Sequence, residues 1–98
     1  MNQSDDNIRY LKNIFIQYKI FENYDLKKIG VFGSFARGEE ANDIDLLISE
    51  IENLEKAYKL KMDLERITNR KIDLIVEKFA NPIILHRARK DMKYVTTD

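Results

Sequence analysis

The chain has 98 residues, 44% of them hydrophobic, with 17 acidic and 17 basic side chains and no cysteine. That length admits one domain, residues 1–98, with a real core and little surplus for a lid; zero net charge announces no direct nucleic-acid partner, and the missing cysteine excludes disulfides, thiolate zinc sites and cysteine nucleophiles. No apolar run approaches the roughly 20 residues that span a bilayer and residues 1–6 lack a secretory pattern, so a cytoplasmic protein without a membrane partner is expected.

In chain order, Ser4 followed by Asp5 and Asp6 reads as a helix N-cap with acids in the first turn. Ile8, Leu11, Ile14, Phe15 and Tyr18 then recur at helical spacing, predicting a helix over about residues 5–22. Residues 28–32 form a short β run ending at Gly33, and residues 34–38 a helical turn. A polar connection over 39–42 leads to a second strand, 43–48. Leu54, Ala57, Leu60, Leu64 and Ile67 trace one stripe of a long helix ending near Asn69. Residues 71–76 are the third strand. Asn81 caps a helix that opens with Pro82 and runs to about Asp91, and residues 94–96 add a short edge strand. The order is that of an α/β fold, a small mixed β-sheet backed by helices.

The unusual chemistry sits in residues 33–45. Gly33 ends a strand where the backbone turns, and a residue without Cβ lets a phosphate come close. Ser34 follows at the start of a helical segment, where its hydroxyl and free N–H groups can receive phosphate oxygens. Arg37 either adds a charge-assisted contact to phosphate or closes an ion pair with a neighbouring acid. Asp43 and Asp45 share a face of their strand because side chains alternate with period two. Two carboxylates side by side on an apolar strand repel unless a cation lies between them, and Mg²⁺ takes such a pair together with phosphate oxygens and water. Asp73 lies in a run, 71–76, that echoes 42–48. Beside the second strand it would face the same site as a metal ligand or a base; otherwise it pairs with a lysine or caps a turn.

Gly33-Ser34-Phe35-Ala36-Arg37-Gly38 followed by Asp43-Ile44-Asp45-Leu46 resembles the signature of minimal nucleotidyltransferases in the DNA polymerase β-like superfamily, and the resemblance covers nearly the whole chain. It implies the nucleotidyltransferase fold, Mg²⁺ bound by Asp43 and Asp45, and Asp73 as the third acidic residue. Chains of this size resemble antitoxins that neutralise a helical HEPN-type toxin by moving AMP from ATP to a tyrosine of that partner. Two alternatives stay open: nucleotidyl transfer to a small molecule bound by a separate helical subunit, and a non-catalytic module that binds nucleotide or masks a toxin. Elsewhere, His86 with Arg87, Arg89 and Lys90 reads as a solvated helix face able to attract an acidic partner or triphosphate. Tyr10, Phe15, Tyr18 and Phe21 read as core and rim of the first helix.

Overall fold

The computed structural model describes residues 3–97, with side chains from residue 5 onward. Helix α1 spans Gln3–Gln17, so Ser4 lies within the helix and not ahead of it; its side chain lies outside the described residues. The expected single helix over 5–22 is in fact two. Lys19 turns left-handed at φ 54° and a short helix α2, Ile20–Tyr24, follows, ended by Asp25 at φ 55°. The break has a packing reason. Phe15 and Phe21 are six residues apart and would point about 120° away from each other on an unbroken helix. With the break they meet edge to face at 5.7 Å, both buried. Tyr18, counted in the apolar stripe, falls at the break and is exposed.

The remaining elements are β1 (Lys28–Phe32), a one-turn helix α3 (Gly33–Ala36), β2 (Asp43–Ile48), α4 (Leu54–Thr68), β3 (Lys71–Val76), a 3₁₀ turn (Glu77–Phe79), α5 (Pro82–Asp91) and β4 (Lys93–Thr96). Their boundaries follow local chemistry. The Asn53 side chain accepts the N–H groups of Glu55 and Lys56 at the start of α4, and Asn69 closes that helix at φ 56°. Asn81 accepts the Ile83 N–H ahead of Pro82, the arrangement its side chain and the proline both favour.

The strands form one mixed sheet in the order β3-β2-β1-β4. Strand β1 runs antiparallel to β2 and β4, and β2 runs parallel to β3, joined by α4 as the crossover helix such a pair needs. One face carries Ile29, Val31, Ile44, Leu46, Ile48 and Ile72, all at or near zero exposure, in a single cluster with Leu11 and Phe15 of α1 and Leu60 and Leu64 of α4. The opposite face is covered only in part. A Cβ on Gly30 would come within 2.6 Å of the Met92 Sδ and 3.4 Å of the Leu47 Cβ, so the end of α5 closes over the middle of the sheet. The start of β2 stays open on that face, and Asp43 and Asp45 stand there, half-buried. Among the described residues no helix is long and apolar enough to cross a membrane.

Candidate active site

The floor of the site is set by strand register. Asp45 of β2 is paired across the parallel ladder with Asp73 of β3, Asp43 with Lys71, and on the other side Phe32 of β1 with Asp45. Side chains at paired positions point the same way, so β2 and β3 bring Asp45 and Asp73 to one face, with Asp43 two residues along. The lysine pairing weighed for Asp73 is also present: Lys71 Nζ stands 3.8 Å from its Oδ1, with both side chains substantially exposed. Such a contact holds little energy in water.

Gly33 forms the wall. Its φ is +74°, a conformation that disfavours any residue with a Cβ, and a Cβ there would lie 2.1 Å from the Asp45 Oδ2. The turn therefore packs its bare Cα against the carboxylate, which is why the chain needs glycine at this point. Ser34 is the second residue of α3, whose single turn is fixed from behind by the buried Phe35 and Ala36. Asn7 of α1 donates its side-chain N–H to the Phe35 carbonyl at 2.9 Å, fastening α3 to α1. A helix of one turn has little macrodipole, so any anion here meets individual N–H groups and not an extended dipole.

Electrostatics single out Asp45. Burial first, then the charge and hydrogen bonding of Asp73, then Asp43, push its carboxyl from 3.8 up to about 6; only Arg37 acts against them. Because the folded state holds this proton more tightly, the stability Asp45 contributes is complete below its unfolded value and is lost as pH rises to and through about 6. In metal-free buffer Asp45→Asn is therefore expected to be more stable than wild type at pH 7.5, by about 1 kcal/mol once screening of a half-exposed carboxyl is allowed for, and no more stable at pH 4. Thermal melts of both proteins from pH 4 to 8 measure this; parallel curves would mean that Asp45 is not strained.

This crowding of acids suits a hard divalent cation, whose charge would offset what Arg37 does not. Among the described residues no group of three or more histidine, cysteine or carboxylate side chains is able to hold a metal ion by itself.

Arg37 is placed beside the turn, but its guanidinium is occupied. Nε donates to Glu39 at 2.5 Å and Nη1 to Asp91 at 2.7 Å, which ties the segment after α3 to the end of α5. Of the two roles weighed for it in the sequence, the structure displays the ion pair. The structure thus brings together Gly33, Ser34, Asp43, Asp45 and Asp73, with Arg37 at the rim. His86 is exposed on α5. Sequence reasoning missed Asn7 and Asp91. Asn7 did leave a signal, since it stands four residues before Leu11 in the apolar stripe, where a polar side chain implies a specific partner. Asp91 left none, because its partner is 54 residues away.

Comparison with known proteins gives the family and the fold. Residues 12–97 match the family model described as polymerase beta, nucleotidyltransferase. The chain is 41% identical over 73 residues, 68% of its length and 85% of the relative's, to a Methanocaldococcus jannaschii protein provisionally named a protein adenylyltransferase. It is 33% identical over 78 residues, 76% of its length and 79% of the relative's, to the protein adenylyltransferase MntA of Thermococcus cleftensis. Its fold is also that of a chain in the solved complex of a tri-AMPylated Shewanella oneidensis HEPN toxin with MNT antitoxin, at a TM-score of 0.66 and 20% identity, covering 89% of this chain and 70% of that one.

Proposed function

This chain belongs to the polymerase beta nucleotidyltransferase family, and from that membership we propose that it transfers AMP from ATP to a hydroxyl of a partner protein, acting as antitoxin to a HEPN-type toxin. The observation that carries the proposal is the pairing of Asp45 with Asp73 across β2 and β3, with Gly33 packed bare against the Asp45 carboxylate. Relatives named protein adenylyltransferases, and a fold neighbour solved with an AMPylated HEPN toxin, support the choice of nucleotide and acceptor. ATP as donor suits a cytoplasmic enzyme.

In the proposed step the acceptor oxygen forms a bond to the α-phosphorus of ATP. The bond from that phosphorus to the oxygen bridging the α- and β-phosphates breaks, and pyrophosphate leaves with that electron pair. The acceptor's proton passes to a carboxylate, for which Asp73 is the candidate because it stands at the outer strand, away from the Gly33 turn. Gly33 and Ser34 hold the phosphates against the turn, and Arg37 braces the rim. Asp43 and Asp45, with Asp73 beside them, would hold Mg²⁺ only together with the bound nucleotide, and the ion would supply charge neutralisation at the reacting phosphate. Catalysis of this kind is mostly positioning and electrostatics, and in this reading the partner protein presents its own acceptor hydroxyl.

The test is incorporation of label from α-³²P ATP into a purified HEPN-type protein. Wild type should label the partner. Asp73→Asn should bind ATP within a few-fold of wild type and transfer at least about 10²-fold more slowly, the loss expected for acid–base assistance. Full transfer by that variant would remove Asp73 from the reaction. Label appearing only in a small molecule would replace the acceptor class. Tight partner binding with no transfer by wild type would leave a masking module.

A further inference from the structure

Arg37 is a poor candidate for the cation that meets the triphosphate, since Glu39 and Asp91 hold its guanidinium and outnumber its charge. We propose that Arg87 of α5 is the residue that receives the polyphosphate, in the cleft between α5 and the Gly33 turn. This rests on the nucleotidyltransferase reading and adds a binding residue to it.

The cleft measures about 340 Å³ and is bounded by Gly33, Arg37, Ile84, Arg87, Ala88 and Asp91. Gly33 belongs to both the cleft and the carboxylate site: the position its Cβ would take lies 2.1 Å from the Asp45 Oδ2. A ligand held in the cleft and touching the turn is therefore one residue's width from Asp45. The surroundings are short of positive charge. Asp43, Asp45 and Asp73 stand on the sheet side, with Lys71 alone near Asp73 at 3.8 Å. On the rim, Arg37 is shared by two carboxylates. A polyphosphate entering here needs a cation that is not already committed.

Arg87 is that cation. It is exposed on α5, lines the cleft, and among the described residues its guanidinium has no ion-pair partner. Its freedom has a specific cause. Arg87 and Asp91 are four residues apart on one helix, a spacing at which opposite charges ordinarily pair. Here Asp91 is drawn across to Arg37 at 2.7 Å instead. The Arg37–Asp91 bridge thus keeps Arg87 open toward the turn, where a planar guanidinium can make paired hydrogen bonds to phosphate oxygens. Arg37 acts as a positioning residue in this arrangement, and Arg87 as the one that touches the ligand.

The test measures binding without relying on turnover. Titration calorimetry with pyrophosphate, ATP and adenosine, in magnesium chloride, is run on wild type, Arg87→Gln and Arg87→Lys. Arg87→Gln should weaken pyrophosphate and ATP by about tenfold or more, as expected for losing a charge-assisted contact, with adenosine unchanged and the melting temperature within a degree or two of wild type. Arg87→Lys should recover only part of the affinity, since it keeps the charge and loses the paired hydrogen bonds. Equal pyrophosphate affinity in wild type and Arg87→Gln would overturn the inference and leave the nucleotidyltransferase reading intact. An adenosine loss as large as the pyrophosphate loss would overturn it by assigning the cleft to the nucleobase. Failure of wild type to bind ATP at all would bring down both.

Discussion

Asp43→Asn combined with Asp45→Asn is expected to lower AMP transfer by at least about 10³-fold without lowering the melting temperature of the metal-free protein at pH 7.5. The two halves of that expectation have one cause. Both carboxylates sit at the open start of β2, where Asp45 is already pushed up to about 6 by burial and by Asp73 and Asp43. Removing two negative charges relieves the repulsion in the resting protein and deletes the oxygen donors that the proposed reaction needs. Wild type should gain more melting temperature from Mg²⁺ and ATP together than from either alone, because a ligand that binds only the folded state stabilises it by mass action. The double variant should lose that gain. Transfer measured with α-³²P ATP and melting curves on the same preparations separate loss of function from loss of fold. Retention of transfer within tenfold, or an unchanged gain with Mg²⁺ and ATP, would exclude these two residues as the metal and phosphate site.

Gly33→Val should be the most damaging single change at the turn. At φ +74° a side chain is strained by about 1–2 kcal/mol, and the Cβ would stand 2.1 Å from the Asp45 Oδ2, so that carboxylate must move. A β-branched residue adds a second methyl to the conflict. The melting temperature is expected to drop by roughly 10 °C, taking about 4–8 °C per kcal/mol for a chain of this size. ATP affinity measured well below the new melting temperature should fall by about tenfold or more, because both the approach to the turn and the position of Asp45 change. Ser34→Ala, which removes one hydroxyl and no backbone group, should cost only a few-fold. Gly33→Val that folds normally and binds ATP like wild type would mean that the turn does not hold phosphate.

The sequence by itself determined most of the elements and pointed to the residues of the candidate site. Strand periodicity put Asp43 and Asp45 on one face, the Asn81-Pro82 start fixed α5, and the apolar stripe from Leu54 to Ile67 marked α4, because each rests on contacts within a few residues. The glycine turn was legible for the same reason: a strand ending in Gly-Ser is a local signal. Tertiary structure decided what depends on distant partners. The parallel register that sets Asp73 beside Asp45 is fixed by the α4 crossover, and the run 71–76 alone could not say which strand it joins. The break at Lys19 arises because Phe15 and Phe21 must both reach the core, a demand that helical spacing within residues 5–22 conceals. The fate of Arg37 was decided by Asp91, 54 residues away, which takes its guanidinium and leaves Arg87 open. Periodicity records which face of an element is buried; long-range pairing of charges and strands is settled only when those faces meet.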